Sequence, residues 1–349
     1  MITRELKDFY RFFWGTSEEE KKAVFYAENQ NYFPYFEDIM KRLNGVCYVA
    51  SGSLYPLLNS PNAYYINKLL PFFFALVDCR VFVMTLTDLN QFYLRRSVNP
   101  VHYVYVFHSM VSTHMIYRRG AFDYYDSILC TGPHQIEEIR RYERLHGLKP
   151  KLLIEAGYPR VEEIHRAHKE YHKGEEGITV LVAPTWGPTN LMKLCGNELI
   201  EILLKEGYEV ILRLHPEEVK RHHIWKYSNV KLETSVVDMY SLVKADVLIT
   251  DWSGIGLEYA FGTERPVIFI DTPPKIRNSE FNELGIEPIE SSIRDKIGVI
   301  VSPSDLSSLP KVVSSIVTSD YRERITGIRD VFNFGYSADV SAKYIEGLL

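Results

Sequence analysis

The sequence has little cysteine, and the few cysteines that it has are not arranged as a metal site or a disulfide framework. Its 349 residues include four: Cys47, Cys79, Cys130 and Cys195. They are far apart, without Cys-x-x-Cys or Cys/His ligand spacing. Three of them lie in apolar runs. This favours buried free thiols in a reducing cytosol.

No segment is apolar enough to span a membrane. The longest apolar run, Leu69–Val77, is far shorter than the roughly 20 residues of a spanning helix. The first residues are charged and lack the apolar core of a signal peptide. Apolar side chains at helical spacing nevertheless occur there: Leu6, Phe9, Tyr10, Phe12 and Phe13. This face would either pack on the protein or contact a lipid surface. We expect a cytoplasmic protein. Peripheral contact with the inner face of the cell membrane is the weaker hypothesis.

The chain also lacks an excess of basic charge and several catalytic signatures. Lys and Arg number 40 against 45 Asp and Glu, which gives a net charge of −5 and predicts no nucleic-acid partner. The P-loop, the GxSxG elbow and the HExxH zinc motif are missing. No Asp-x-Asp pair occurs, which weighs against a metal-bound nucleotide-sugar site. We therefore expect neither a metal nor a cofactor.

Short apolar runs alternate along the chain with segments of helical length. Near-continuous runs such as YVYVF and VLIT suit parallel strands that are covered on both faces. The predicted strands are Ala23–Tyr26, Val46–Ala50, Arg80–Thr85, His102–Phe107, Ser127–Cys130, Leu152–Glu155, Thr179–Ala183, Glu209–Leu214, Val230–Leu232, Val247–Thr250, Val267–Ile270 and Val299–Val301. The alternation predicts βαβ units and an α/β fold.

The strands form two sets separated by the charged stretch Arg160–Gly177, which is interpreted as a helix and linker. We predict one Rossmann-like domain over residues 1–160, a second over 161–335, and a C-terminal helix over 336–349. In such sheets ligands bind beyond the carboxyl ends of the strands. Two domains of this kind, facing each other, would place a cleft between them.

The most informative segment, Asp246–Phe261, predicts a buried strand, a polar turn and the start of a helix. The candidate phosphate-binding residues here are Thr250, Asp251, Trp252, Ser253, Gly254, Ile255 and Glu258. Free N–H groups at a helix amino end bind anions, and Gly254 and Gly256 would let phosphate oxygens approach the backbone. Glu258 could meet a ribose hydroxyl or stabilise the helix. The alternative is a helix capped by Asp251 or Ser253, without a ligand.

Other strand ends also carry polar side chains. Arg213 and His215 end a predicted strand and suit phosphate contact or proton transfer, or else a structural pair with Glu217. His108 ends another and is a candidate general base, although a lone histidine there is more often structural.

Further candidates flank these strand ends. Ser109, His114, Arg118 and Arg119 follow His108, and the two arginines could bind an anionic acceptor or form a solvated pair. The remaining candidates lie in two turns: Arg160, Pro184, Thr185 and Trp186. These turns either shape a pocket or simply end their strands.

Four of these segments, in this order, resemble a known family. GYPR at residues 157–160, APTW at 183–186, RLHP at 213–216 and ITDWSGIGLEYA at 249–260 are similar to the CDP-glycerol glycerophosphotransferase family of teichoic-acid and capsule synthesis. The match covers about residues 100–270. The family's Arg after APTW is Gly187 here, its Tyr-Ser-Ser is Trp252-Ser253-Gly254, and its WHGTPLK-like stretch is FHSMVST.

The resemblance implies a GT-B fold, in which two Rossmann-like domains with parallel sheets face a cleft, and a metal-independent transferase. His108 would be the base for an acceptor hydroxyl, and Arg213 and His215 would contact the donor phosphates. Thr250, Asp251, Ser253 and Gly254 would form the pyrophosphate-binding turn. Glycerol phosphate, or another polyol phosphate, would pass from a CDP donor to a glycan or lipid-linked acceptor, releasing CMP.

Two other functions remain open. One is an inverting glycosyltransferase of the same fold that uses a nucleotide sugar in capsule or O-antigen synthesis. The other is an inactive nucleotide-binding subunit that would not need His108.

Overall fold

The structure is a computed structural model that describes residues 2–54, 57–92, 94–172, 174, 177–220, 227–235 and 238–349. Residues 173, 175 and 176 of the predicted linker lie outside these ranges. Contacts divide the chain into two compact units. The first comprises residues 1–109, 117–159 and 335–349, and the second comprises residues 110–116 and 160–334.

Thirteen strands are present in the described ranges. In chain order, β1 to β13 are Ala23–Ala27, Val46–Ala50, Ala63–Tyr65, Val81–Met84, His102–Val106, Ser127–Cys130, Leu152–Glu155, Thr179–Val182, Glu209–Arg213, Val230–Glu233, Val247–Thr250, Val267–Ile270 and Gly298–Val301. All twelve predicted strands are confirmed, with ends that differ by at most one residue. The three-residue β3 was not predicted.

Helices connect the strands and cover the sheets. The α-helices α1 to α14 are Ile2–Tyr10, Pro34–Met40, Leu70–Leu76, Thr113–Ile116, Pro133–Leu145, Pro159–Glu170, Leu191–Lys205, Pro216–Lys220, Tyr240–Lys244, Ile255–Thr263, Ile289–Ile297, Leu309–Thr318, Arg322–Arg329 and Ser337–Glu346. Shorter helical turns are Arg11–Gly15, Gln30–Tyr32, Phe281–Leu284, Pro303–Ser308 and Asp330–Phe332. Within the described ranges, no helix combines the length and apolar character that crossing a bilayer requires.

The first unit is built on a seven-stranded parallel sheet in the order β3-β2-β1-β4-β5-β6-β7. Successive side chains of a strand point to opposite faces. Accordingly, Val24 and Tyr26 of β1 enter one hydrophobic core, while Phe25 enters another. The sheet is therefore buried on both faces, as its near-continuous apolar strands predict.

The second unit is built on a six-stranded parallel sheet in the order β10-β9-β8-β11-β12-β13. Val180, Leu181 and Val182 of β8 are completely buried. Each unit is thus a Rossmann-like α/β layer structure, and the predicted fold class is confirmed.

The grouping of contacts departs from the predicted domain bounds in two places. The C-terminal helix α14 is part of the first unit, because its buried Ala342 and Ile345 lie in that unit's core and its Asp339 pairs with Arg42 at 2.7 Å. Residues 110–116 group with the second unit, where the Glu290 carboxylate accepts the N–H of Ser112 at 3.1 Å. Both departures come from contacts between residues far apart in sequence.

Candidate active site

The candidate site of the second unit lies at the carboxyl edge of its sheet. Strands β8, β9, β11 and β12 are consecutive or nearly so in the sheet, and each runs into a loop that carries polar residues. Because the strands are parallel, these loops meet at one edge, where α/β sheets bind their ligands. The candidate residues of the RLHP, APTW and ITDWSG segments are therefore brought together by topology.

Two buried residues at the end of β11 organise this edge. The Thr250 hydroxyl is fully buried and donates to the Ala183 carbonyl at 2.6 Å, joining β11 to β8. The buried Asp251 carboxylate accepts the N–H groups of Thr185 at 2.7 Å and Leu191 at 2.9 Å. Burial raises the pKa of Asp251, although these hydrogen bonds oppose the shift. Both side chains thus hold the loop after β8 in place.

Trp252 is fixed by the next loop and by an arginine. Its indole N–H donates to the Thr272 carbonyl at 2.7 Å, beyond the end of β12. The Arg294 guanidinium lies 4.2 Å from the indole centroid and pairs with Asp271 at 3.2 Å. These contacts make Trp252 a rigid wall beside the Ser253 turn.

Ser253, Gly254 and Ile255 present backbone N–H groups at the amino end of the nine-residue helix α10. In the described part of the chain, no hydrogen bond uses the N–H of any of these three residues. No side chain caps the helix, so neither Asp251 nor Ser253 acts as the N-cap. The helix dipole adds positive potential at this end. The turn therefore has the geometry of an anion-binding helix terminus.

The glycine at 256 has a packing role that the sequence did not predict. A Cβ atom there would lie 2.9 Å from the Phe269 ring and 3.4 Å from Thr250. Glycine at this position therefore allows α10 to pack closely against β11 and β12. Gly254 has φ −58°, which any residue can adopt.

The loop after β8 carries Pro184, Thr185 and Trp186 and reaches two other loops. Trp186 lies beside His215 with 5.8 Å between ring centroids, and the Arg277 guanidinium lies 3.5 Å from the indole centroid. The Lys275 ammonium donates to the Thr185 hydroxyl at 2.6 Å. Trp186 and Thr185 therefore join the ends of β8, β9 and β12.

His215 follows β9, and a backbone hydrogen bond holds its Nδ1 atom. Its Nδ1 accepts the N–H of Glu217 at 3.1 Å, at the start of α8. A neutral imidazole bonded in this way carries its proton on Nε2, which can donate to an anionic oxygen. In this tautomer the Nε2–H of His215 is a hydrogen-bond donor of the kind that binds a phosphate oxygen.

Arg213 is buried and is held by the protein itself. Its guanidinium donates to the Asp238 carbonyl at 2.8 Å and to the Ser241 hydroxyl at 3.0 Å. Burial lowers its pKa; the charge of Glu233, 3.8 Å away, opposes the shift, and the charge of Arg160 adds to it. The alternative pairing of Arg213 with Glu217 is not found among the described residues, where Glu217 pairs with Lys220 at 2.5 Å. The charge of Arg213 therefore contributes to the electrostatic potential at the end of β9.

Arg160 and Glu258 lie near Arg213. Arg160, at the start of α6, is buried and pairs with Glu163 at 2.7 Å. Glu258, in the first turn of α10, raises the pKa of Arg213 through its charge. The end of β9 thus combines two arginines and a carboxylate of α10.

In the first unit, His108 lies two residues beyond the end of β5. Its ring packs against Tyr32 at 5.3 Å and Tyr35 at 6.1 Å between centroids, and Tyr35 stacks on Tyr158. Burial lowers the pKa of His108 to about 4. Its Nδ1 is buried and makes no hydrogen bond within the described ranges. At neutral pH this imidazole is uncharged and able to accept a proton.

The four residues expected on the acceptor side are distributed over both units. His114 is buried and belongs to the second unit, where its carbonyl accepts the Asn278 amide at 2.9 Å. Ser109 and Arg118 belong to the first unit, and Arg118 pairs with Asp88 at 2.8 Å. Arg119, in the same unit, is exposed. Both arginines are thus exposed, and the acceptor role expected of them stays a prediction.

Sequence reasoning missed three cations near the second unit's site: Lys275, Arg277 and Arg294. Lys275 and Arg277 follow β12 in the segment DTPPKIR. Their place after the carboxyl end of a parallel strand is the signal that identified His215, and it could have identified them too. Among the residues that the structure describes, no group of three His, Cys, Asp or Glu side chains is arranged to hold a metal ion.

Comparison with known families bears on the motifs directly. Residues 101–272, just under half of the chain, match the family described as CDP-Glycerol:Poly(glycerophosphate) glycerophosphotransferase. A teichoic acid glycerol-phosphate primase of Bacillus subtilis (strain 168) is 26% identical over 159 residues, or 43% of this chain. The chain spans only 40% of that relative's length. The resemblance inferred from the four motifs is thus confirmed.

Solved structures show the same fold. The wall teichoic acid polymerase TagF matches with a TM-score of 0.63 and 16% identity over 99% of this chain and 94% of that chain. A UDP-N-acetylglucosamine 2-epimerase from Rickettsia bellii matches with a TM-score of 0.60 and 15% identity, over 94% and 95% of the two chains. At these identities the likeness concerns the fold, which is the GT-B type.

Proposed function

We propose that this protein is a metal-independent transferase that moves glycerol phosphate, or a related polyol phosphate, from a CDP-activated donor to a glycan or lipid-linked acceptor of the cell envelope. The observation that carries the proposal is the convergence of motifs on one edge of the second sheet. The family match spans three of the loops there, and the N–H groups of Ser253, Gly254 and Ile255 lie among them.

In this proposal the second unit binds the nucleotide donor. The diphosphate of the donor accepts hydrogen bonds from the N–H groups at the start of α10. The Nε2–H of His215 donates to a phosphate oxygen. Arg213 and Arg160 add positive potential. Phosphoryl transfer needs little covalent chemistry from the protein, because positioning and charge neutralisation supply most of the rate.

His108 is the proposed base. The acceptor hydroxyl oxygen attacks the β-phosphorus of CDP-glycerol, and the bond from that phosphorus to the bridging oxygen breaks. CMP leaves with the bridging oxygen, and His108 takes the proton of the hydroxyl. The product is a phosphodiester between the acceptor and glycerol.

The test is to incubate the purified protein with CDP-glycerol and cell-envelope acceptors, and to assay CMP and the bond formed. CMP release together with a phosphodiester product supports the proposal. A glycosidic product formed from a nucleotide sugar, without turnover of CDP-glycerol, would identify a glycosyltransferase instead. Donor binding without turnover of any donor would identify an inactive nucleotide-binding subunit.

The acid side of the pH profile should reflect the unusual pKa of His108. Since burial lowers this pKa to about 4, the imidazole is unprotonated from neutral pH down to about pH 5 and gains a proton below that. We expect kcat/KM to stay flat between about pH 5 and pH 7 and to fall as the pH drops through about 4. Initial rates in short assays, with circular dichroism to follow folding, measure this. A decline centred near 6.5 would instead indicate an ordinary histidine as the base.

We also propose that the first unit contacts the membrane through a surface that we name the aromatic patch: Leu6, Tyr10, Trp14, Phe72 and Leu76. Leu6, Tyr10 and Trp14 follow each other at intervals of four residues and are 54%, 65% and 68% exposed. Phe72 and Leu76 are exposed on α3. Phe13 contacts both Trp14 and Phe73 of α3, so the two helices are neighbours.

The N-terminal helical face is thus divided between two roles. Phe12 is buried against Tyr64 and Phe73, and Phe9 and Phe13 are partly buried beside it. The side chains left outside are amphipathic aromatics and aliphatics, the types enriched where proteins meet lipid headgroups. Exposed Lys7 adds charge that suits an anionic surface.

Removing the aromatic patch should release the protein from vesicles. We expect the Tyr10→Ser, Trp14→Ser double variant to bind anionic phospholipid vesicles at least ~10-fold more weakly, because each buried aromatic side chain contributes about 1.5–3 kcal/mol. Co-sedimentation measures this. Leu145→Ser, at an apolar position on α5 that is 52% exposed, is the control and should bind as the wild type does. Equal binding of all three proteins, or none by the wild type, would contradict the proposal.

A further inference from the structure

Lys275 is a lysine whose ammonium group contacts a neutral hydroxyl in the described part of the chain. It follows β12, is partly buried, and donates to the Thr185 hydroxyl at 2.6 Å. Within the described ranges, no carboxylate lies within 4.0 Å of its ammonium group. Lysines at a protein surface usually extend their charge into water. An ammonium that gives up water for one neutral hydroxyl is costly unless an anion joins it.

The neighbouring charges make this position more positive. Arg277 lies over Trp186, and the Lys275 ammonium itself is 5.3 Å from the same indole centroid. Two acidic side chains act on Lys275 through their charge, and both accept hydrogen bonds from the backbone. Asp251 accepts the N–H groups of Thr185 and Leu191, and Glu290 accepts the N–H of Ser112. Burial and the charge of Arg277 lower the pKa of Lys275 to about 8, while Asp251 and Glu290 oppose that shift. The Lys275 ammonium and the Arg277 guanidinium therefore both lie close to the Trp186 indole.

Contacts connect Lys275 to the Ser253 turn. Thr185, which accepts from Lys275, donates its N–H to Asp251, and Asp251 begins the turn that leads to Ser253. On the other side, the indole of Trp252 donates to Thr272, three residues before Lys275. The Thr272 hydroxyl is buried and makes no hydrogen bond within the described ranges. The ammonium is thus tied through both loops to the amino end of α10.

We propose that Lys275 binds the anionic phosphates of the nucleotide donor, with Arg277 holding Trp186 against the same site. This inference rests on the proposed function for the identity of the donor, but its chemistry requires only a diphosphate. A lysine contributes a point charge with three hydrogens to donate, which suits a phosphate oxygen shared with backbone N–H groups. Without the donor, the Lys275 ammonium donates to the Thr185 hydroxyl. When the diphosphate binds, its negative charge pairs with the ammonium.

The experiment compares ligand binding by calorimetry in the wild type and four variants: Lys275→Gln, Lys275→Arg, Thr185→Val and Lys205→Gln. The ligands are CDP-glycerol, CDP, UDP and inorganic pyrophosphate. Lys205, the exposed last residue of α7, lies towards the opposite edge of the sheet and is the matched control. Melting temperatures of all five proteins establish that they are folded.

We expect Lys275→Gln to weaken diphosphate binding roughly 10- to 100-fold, as loss of a charged hydrogen bond does. Lys275→Arg should recover most of the affinity because it keeps the charge. Lys205→Gln should match the wild type, and Thr185→Val should lose only a few-fold. If Thr185→Val instead reproduces the whole loss and Lys275→Arg does not restore binding, Lys275 merely positions the loop and the inference is wrong.

The two proposals fail in different ways. If the wild type binds CDP-glycerol and Lys275→Gln binds it equally well, the inference is overturned and the proposed function stands. If the wild type binds UDP or pyrophosphate but not CDP-glycerol, and Lys275→Gln loses that binding, the choice of donor is wrong and the inference stands. If no diphosphate binds to the wild type, both are overturned.

Discussion

Replacing His108 with alanine is expected to lower the rate of glycerol-phosphate transfer roughly 10²- to 10⁴-fold, the range that a positioned general base contributes. His108 is uncharged at neutral pH because burial lowers its pKa to about 4, so the proposed base is able to accept a proton at that pH. Affinity for CDP should be unchanged, since the diphosphate is assigned to the loops of the second unit. CMP release and calorimetry with CDP measure the two quantities separately.

A matched control lies at the other end of β5. His102 begins β5 and contacts the Ser127 hydroxyl at 2.9 Å, whereas His108 follows the strand at the opposite edge of the sheet. His102→Gln, which keeps a polar side chain at that place, should turn over at nearly the wild-type rate per folded molecule. Turnover of the His108→Ala protein at the wild-type rate would remove the base assignment. A parallel loss of CDP binding would show that His108 acts by supporting the fold or the donor.

Most of the fold could be predicted because periodicity and composition determine buried parallel strands. Strands such as Val247–Thr250 and Val267–Ile270 are apolar throughout and are bounded by polar turns. The missed strand, Ala63–Tyr65, has three residues and lies at the edge of its sheet. So short a segment has no measurable period, and only its pairing with β2 makes it a strand.

The candidate site also combines residues that local sequence could predict with residues that it could not. Motifs identified the residues at strand ends, since position after a parallel strand is local information. They could not identify Lys275 as a partner of Thr185, because that contact joins residues 90 positions apart. Nor could the motifs show that Gly256 serves helix packing. A side chain at 256 would meet the ring of Phe269, a neighbour in space that no local pattern indicates.

The N-terminal helix illustrates a different limit. Helical spacing placed Tyr10 and Phe12 in one apolar group, but the structure buries Phe12 and leaves Tyr10 exposed. The five residues after α1 form a π turn, and its wider spacing changes which side chains share a face. Periodicity detects such a face but cannot assign its side chains to the core or to a partner.

Replacing His215 with alanine is expected to lower kcat/KM for the nucleotide donor roughly 10²- to 10³-fold, the effect of removing one hydrogen bond to charge that develops in a transition state. The physical basis is the tautomer: the Glu217 N–H occupies Nδ1, so the ring proton is on Nε2 and points away from the backbone contact. His215→Asn, whose amide can also donate, should recover part of the rate. Initial rates at several CDP-glycerol concentrations separate kcat from KM.

His165 is the appropriate control for His215, because it is a partly buried histidine of the same unit whose Nδ1 also contacts a backbone group, the Gly262 carbonyl at 3.1 Å. His165→Ala also removes an imidazole ring and a backbone contact, although its Nδ1 donates to a carbonyl whereas that of His215 accepts from an N–H. If both variants lose activity in proportion to a fall in melting temperature, His215 is a structural residue. A loss confined to His215→Ala at unchanged stability, partly restored by asparagine, requires a hydrogen bond from Nε2 to the reacting phosphate.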